Sequence, residues 1–175
     1  MKKTIITLAL AIISFFGAGS LHAQNKFAYI DFQELMTIMP EYKKAQTEME
    51  AFSKTLRDEG KKLSDEFETK LAAYQKEGPK LNDIQKELRE RDLRDLQTRI
   101  QEFQEMAQTK EREKEQELLK PIVEKAKATI NTVAKENGYT YVFDSSPGSP
   151  LIYKPEGDNI MGLVKKKLGI VTPAN

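Results

Sequence analysis

The chain has 175 residues, with no cysteine, no tryptophan and a single histidine, and its 28 basic and 27 acidic residues give a formal net charge of +1. Without cysteine the chain cannot form a disulfide, a thiolate nucleophile or a thiolate zinc site, and a single histidine leaves little scope for a histidine-based triad. A nucleic-acid-binding domain is normally distinctly basic, so the charge balance argues against nucleic acid as a partner.

The first 23 residues have the pattern of a cleavable export signal. Lys2 and Lys3 precede an uncharged apolar run over residues 5–19, and Ala23 is the small residue expected before a signal-peptidase cut. The run is shorter than the roughly 20 apolar residues of a transmembrane helix, which argues against a retained anchor. We therefore predict a mature chain that starts at Gln24, lacks histidine and does not insert stably into a membrane.

Residues 26–31 predict a short strand. Phe27 and Tyr29 project to one face of this strand, and Ala28 and Ile30 project to the other. Because both faces are apolar, we expect both to be covered, one by helices of the same chain and the other by a neighbouring copy. An acidic residue directly after the strand and another three residues later resemble a capping box, which predicts a short helix.

A long helical hairpin is predicted over residues 41–117. The apolar or small residues that recur at helical spacing are Tyr42, Ala45, Met49, Phe52, Leu56, Leu63, Phe67, Leu71 and Tyr74, then Leu81, Ile84, Leu88, Leu96, Ile100, Phe103 and Ala107. Gly78 and Pro79 divide the two runs, and a short connection makes the helices antiparallel neighbours. Gly60, where the pattern skips a place, is a candidate bend. Residues 108–117 contain no apolar residue, so we expect the helices to part there or to be solvated.

Residues 24–40 and 118–175 are predicted to form a small β-rich body. Residues 139–143 and 151–153 predict a second and a third strand, and Asp158 is predicted to be the N-cap of a last helix. A body of this size is marginally stable without disulfides or metals, so we expect it to oligomerise. Its predicted core and oligomer contacts are Phe27, Tyr29, Ile30, Tyr141, Val142, Phe143 and Leu163.

The segments that flank the hairpin resemble the OmpH-like (Skp) family of periplasmic chaperones. The resemblance rests on residues 27–32 with the following segment 36–40, and on residues 131–144 with residues 158–160. The hairpin is less specific, because any coiled coil looks similar. The resemblance implies an α+β, mostly α fold, in which a small β-rich trimerisation body carries a long antiparallel helical-hairpin (coiled-coil) tentacle on each of three chains.

The same resemblance implies a function. It predicts an ATP-independent periplasmic protein that holds unfolded outer-membrane proteins in a central cavity and prevents their aggregation, with no catalytic site, metal or cofactor. Well-known members of the family are strongly basic, whereas this chain is nearly neutral, so no lipopolysaccharide site is inferred. Candidate contacts with the unfolded client, near the tip of the hairpin, are Ala72, Ala73, Tyr74 and Leu81.

Three plainer interpretations stay open. Each of the four tip residues could simply pack the end of the hairpin. The whole chain could be a structural or scaffolding coiled coil of the cell envelope that recognises one folded partner. Lys165, Lys166 and Lys167 suit the C-terminal dipole of the last helix, with peripheral lipid contact as their alternative role. An enzyme is not predicted, because the many carboxylates lie in charged helical sequence without a pocket-like apolar context.

Overall fold

The computed structural model describes residues 25–170, so the predicted export signal at residues 1–23 lies outside the described residues. The elements in chain order are β1 (Phe27–Ile30), α1 (Phe32–Ile38), α2 (Pro40–Glu77), a 3-10 turn (Gly78–Lys80), α3 (Asp83–Glu136), β2 (Tyr141–Asp144), a second 3-10 turn (Glu156–Asp158) and α4 (Met161–Leu168). This order confirms the predicted α+β, mostly helical fold with its long hairpin.

Helices α2 and α3 form the hairpin. At about 1.5 Å per residue, the 38 residues of α2 extend about 57 Å. The turn Gly78–Lys80 reverses the chain, and Asn82 then caps α3. The Asn82 side chain accepts a hydrogen bond from the Gln85 N–H at 2.9 Å, and the Gln85 side chain accepts one from the Asn82 N–H at 3.1 Å. This reciprocal pair satisfies two N–H groups that a helix start otherwise leaves without partners.

Pairs between the helices establish their antiparallel arrangement. The Tyr74 hydroxyl donates to Glu90 at 2.6 Å near the tip, and Lys125 pairs with Glu41 at the opposite end. Helix α3 continues without a break through Pro121 and supplies part of the body. The predicted boundary between tentacle and body therefore falls inside one continuous helix.

Strands β1 and β2 pair in parallel as a two-stranded sheet. Phe27 lies opposite Tyr141, and Ile30 lies opposite Asp144. The Ser145 N–H extends the ladder by donating to the Ile30 carbonyl at 2.9 Å. Parallel strands need a long crossover connection. Here the connection is the whole helical hairpin, so both of its ends are held in one small sheet.

The predicted third strand at residues 151–153 is wrong. That segment has no regular structure, and the free edge of β1 instead meets Asn159, which forms an isolated parallel bridge with Tyr29. Pro150 and Pro155 flank the segment. Proline has no N–H to donate to a strand ladder, so pairing is weakened at both ends of this stretch.

Two predicted boundaries also shift. Asp158 ends a 3-10 turn instead of capping α4, and the side chain of Asn159 accepts from the Met161 N–H at 2.9 Å. Strand β2 starts two residues later than expected, because the Tyr139 N–H still donates to the Ala134 carbonyl at 2.9 Å and closes the end of α3.

The body core lies under one face of the sheet. It consists of side chains from β1, all four helices, the residue between α1 and α2 and the residue before α4: Ala28, Ile30, Leu35, Met36, Met39, Ala45, Ile122, Ala126, Val133, Ile160, Met161 and Val164. Within residues 25–170 no polar or charged residue is buried. Burial of apolar surface therefore stabilises the body, and the end of α3 and the start of α2 are both anchored in it.

The seam between α2 and α3 is thin toward the tip. Leu56 and Leu96 are buried there, but Ile84 and Leu88, which follow the same apolar pattern, are 72% and 57% exposed. The next apolar residue after Leu88 is the half-buried Leu93, and this five-residue step rotates the apolar stripe by about 140° around α3. A stripe that turns in this way cannot keep all of its members against one partner helix.

Gly60 lies where the two helices approach closely. Helix α2 is continuous at Gly60, and a Cβ atom there would lie 3.1 Å from Cε1 of Phe103. That distance is shorter than ordinary van der Waals contact. A side chain at position 60 therefore requires the Phe103 ring to move by a few tenths of an ångström.

Candidate functional site

The four residues predicted to contact a client lie at the end of the hairpin. Ala72 is exposed, and Ala73, Tyr74 and Leu81 are half-buried. The Tyr74 hydroxyl hydrogen bonds to the Glu90 carboxylate, and this bond, with some burial, raises the pKa of Tyr74. Tyr74 therefore ties α2 to α3, and its role as a client contact stays a prediction.

Sequence reasoning missed a pair of more exposed apolar side chains beside the tip. Ile84 and Leu88 are four residues apart on α3, so they share one helix face, and both project into solvent. The signal that could have found them is the irregular five-residue step from Leu88 to Leu93, which moves them off the seam. They form the exposed apolar pair of the hairpin tip.

A second exposed apolar surface lies on the sheet. Phe27, Tyr141 and Phe143 are 47%, 56% and 45% exposed, although they occupy strands. Their ring centroids are 5.7 Å apart for Phe27 and Tyr141, 6.1 Å for Phe27 and Phe143, and 6.4 Å for Tyr141 and Phe143. We call these three rings the aromatic face. They lie on the side of the sheet opposite the body core.

The other residues predicted for the body or its oligomer contacts divide between inside and outside. Tyr29 and Ile30 are buried in the single chain, and Val142 is half-buried against the core. Tyr29 projects from the same side of the sheet as the aromatic face, but unlike those three rings it is buried. The Lys154 ammonium lies 5.3 Å from the Tyr29 ring centroid. Leu163 on α4 remains 41% exposed.

A polar clasp joins β1, α1 and β2 at the root of the hairpin. The Asp144 carboxylate accepts from the N–H groups of Phe32, at 3.2 Å, and Ser146, at 2.9 Å, and from the Ser146 hydroxyl at 2.6 Å. The Ser146 oxygen also lies 3.2 Å from Asp31, the N-cap of α1. Burial by itself raises the pKa of Asp144, but the hydrogen bonds outweigh burial and hold that pKa below its usual value.

The lysines of α4 have nearby acidic partners. Lys165 lies 3.7 Å from Glu34, and Lys167 lies 2.6 Å from Glu136. These ion pairs attach α4 to α1 and to the end of α3. They account for two of the three lysines that were considered for lipid contact.

Two further features were sought in the described residues, a metal site and a membrane-spanning helix. Between residues 25 and 170 no group of three or more His, Cys, Asp or Glu side chains is arranged to hold a metal ion. In the same range, every helix is too short or too polar to cross a membrane.

The comparison with known protein families agrees with the fold. Residues 26–168 match the family model described as outer membrane protein (OmpH-like). Proteins of this family act as periplasmic chaperones of outer-membrane proteins and are not enzymes. A search of curated proteins found no match. Because the family model covers both the hairpin and the two segments of the body, the chain belongs to the OmpH-like outer membrane protein family.

Proposed function

We propose that this protein is an ATP-independent holding chaperone of the periplasm, which binds unfolded outer-membrane proteins and prevents their aggregation on the way to the outer membrane. The observation that carries the proposal is the exposed apolar pair Ile84 and Leu88 on an otherwise charged hairpin tip. Exposed apolar side chains on an extended limb can bind many unfolded sequences weakly, without the shape that recognition of one folded partner requires.

The proposal includes export and assembly. The signal at residues 1–23 directs the chain out of the cytoplasm, and the mature protein starts at Gln24. The body then forms a homotrimer, with the aromatic face as a contact between copies. Three neighbouring rings exposed on a sheet are costly to leave in water, and aromatic residues are enriched at protein interfaces. Three tentacles, residues 41–117 of each copy, would then surround a cavity.

The client surface of each tentacle lies at its tip. It comprises the apolar pair together with Ala72, Ala73, Tyr74 and Leu81. Balanced charge on the tentacle keeps it soluble while leaving apolar contact as the main attraction. Weak apolar contacts of this kind form and break spontaneously, so binding and release of a client would not need energy from ATP.

The test is light scattering of a urea-unfolded β-barrel protein that is diluted into buffer with or without the mature protein. We expect the mature protein to suppress the scattering. Ile84→Gln with Leu88→Gln should raise the concentration needed for half-suppression about tenfold or more, since two apolar contacts are lost. Glu87→Gln with Arg91→Gln adds the same two glutamines to the same turns of α3 and should behave like wild type.

Equal scattering with and without the protein would rule out holding activity. The range of proteins that are bound distinguishes a holding chaperone from a scaffold. A holding chaperone should suppress the aggregation of several β-barrel proteins of unrelated sequence, whereas a scaffold should bind a single folded partner and none of these.

A further inference from the structure

A cleft of about 550 Å³ opens between α2 and α3 at the root of the hairpin. Its apolar side chains are Tyr42, Ala45, Met49, Leu118 and Leu119. It opens where the apolar side chains of α3 stop at Leu118, since residues 108–117 carry none and present Glu111 and Glu115 to the cleft instead. Its volume lies within the range of about 300–1,000 Å³ that is typical of ligand pockets.

The rim of this cleft is acidic. Glu50, Glu111 and Glu115 line it, and within residues 25–170 none of the three carboxylates has an ion-pair partner. The neighbouring lysines of α3 are already paired, Lys110 with Glu113 and Lys114 with Glu117. Arg57 is the one cation that lines the cleft in the described part of the chain.

The three carboxylates outnumber Arg57, so the cleft keeps an excess of negative charge that attracts a further cation. Glu111 and Glu115 lie four residues apart on one face of α3, so they repel each other. A positive charge placed between them would relieve this repulsion. The cleft thus combines an apolar floor with a rim that attracts positive charge.

We propose that the root cleft binds an extended, unfolded segment in which an apolar side chain is followed closely by lysine or arginine. The apolar side chain occupies the floor at Met49 and Leu118, and the cation reaches the rim at Glu111 and Glu115. This inference rests on the proposed holding function and specifies which client segments are preferred. Segments with acidic residues beside the apolar side chain are disfavoured, because like charges would be brought together at the rim.

Fluorescence anisotropy of two labelled peptides tests the proposal. The first peptide alternates phenylalanine with lysine, and the second has glutamate in place of each lysine. With the mature protein at low salt, we expect the lysine peptide to bind about fivefold or more tightly than the glutamate peptide, as expected for several exposed charge contacts. Raising the salt concentration should shrink this difference.

Matched variants locate the effect. Glu50→Gln, Glu111→Gln and Glu115→Gln together should abolish the preference for the lysine peptide. Glu59→Gln, Glu102→Gln and Glu105→Gln change the net charge equally, at exposed positions outside the cleft, and should leave the preference intact. Circular dichroism of both triple variants checks that the hairpin is folded. A separate Met49→Gln variant should weaken the binding of both peptides, because it removes an apolar side chain from the floor of the cleft.

Three outcomes would overturn the proposal: equal binding of the two peptides, an equal loss of preference in both triple variants, or no binding because a second copy of the chain covers the cleft. The light-scattering assay distinguishes these outcomes from failure of the holding function. A protein that suppresses aggregation but does not discriminate between the peptides has the holding function without the root cleft as a site. A protein that does not suppress aggregation lacks the holding function whatever the peptides do.

Discussion

At the scale of single residues, Asp144 has the most consequential set of contacts. One carboxylate at the end of β2 holds the N-terminus of α1 and the loop after β2 together. Because β1 and β2 flank the two ends of the hairpin, this clasp adds to the strand pairing that fixes those ends relative to each other. Its loss would act on the root of the tentacle as well as on the body.

Asp144→Asn should lower the free energy of unfolding by about 1 kcal/mol at pH 6, since a charged acceptor of several hydrogen bonds is replaced by a neutral one. The pKa of Asp144 is lowered in the folded state, so the stabilisation is complete above the unfolded pKa of about 3.9. It is lost as pH falls through the folded-state pKa. Urea unfolding at pH 6 and pH 3 should therefore show the gap between wild type and variant narrowing toward low pH.

A gap of the same size at both pH values would mean that the ionised carboxylate is not what stabilises the clasp. Ser145→Ala provides a control nearby, because its side chain is not part of the clasp. That variant should leave the pH dependence of wild type unchanged.

At the scale of elements, the hairpin has well-defined helix ends but a weakly packed seam. Its turn has a proline, a 3-10 turn and a complete capping box, whereas its seam beyond the root buries few apolar side chains. Local signals thus determine where α2 and α3 end, and sparse side-chain contacts hold them side by side. Such a limb can open locally at a low free-energy cost.

The close approach of Gly60 and Phe103 allows the packing of the seam to be tested by substitution. Gly60→Ala should stabilise the hairpin by up to about 1 kcal/mol, because alanine is the better helix former and the Phe103 ring borders a groove of about 240 Å³ into which it can shift. Gly60→Val should instead be less stable than Gly60→Ala by about 1 kcal/mol or more, because valine adds two γ-methyl groups beyond a Cβ atom that already lies close to the ring. Hydrogen exchange of the hairpin amides measures both effects.

If Gly60→Val proved as stable as Gly60→Ala, the close approach of Phe103 would not limit the residue at this position. Combining Gly60→Val with Phe103→Leu supplies the control. The smaller side chain should recover part of the stability lost in the valine variant.

At the scale of the whole molecule, residues 25–170 of the single chain leave two clusters of large apolar side chains uncovered. One is the tip of the hairpin, and the other is the aromatic face with Tyr153, which lines a groove beside Phe27 and Phe143. The first suits transient contact with clients. The second adjoins a body that is small for independent stability, and a permanent partner would cover it.

Sedimentation of the purified mature protein at micromolar concentration should give three times the mass of one chain. Tyr141→Glu should reduce this mass to that of one chain, because a charge would be buried among aromatic rings. Thr132→Glu adds the same charge at an exposed position of α3 and should leave the mass unchanged. The melting temperature of wild type should also rise with protein concentration.

A wild-type protein that sediments as a single chain would contradict the trimer and the argument from the size of the body. A Tyr141→Glu variant that retains the full mass would place the interface elsewhere.

The sequence by itself determined the elements whose signals are local. The hairpin turn was predicted at Gly78 and Pro79 and is found there, because punctuation by glycine and proline acts through the backbone of the residues concerned. The helical period predicted α2 almost to the residue, with an expected start at position 41 and an observed start at Pro40. The apolar character of both faces of β1 was likewise evident from the sequence, because successive side chains of a strand project to opposite faces.

Only the tertiary structure decided how these elements meet. Parallel pairing of β1 with β2, occupation of the β1 edge by Asn159 in place of residues 151–153, and the approach of Phe103 to Gly60 all join residues far apart in the chain. The packing of α3 against α2 also decided which members of the apolar stripe are covered, and it left Ile84 and Leu88 in solvent. The spacing of apolar residues shows where the stripe turns, but the covered members depend on the side chains that the partner helix presents at each level.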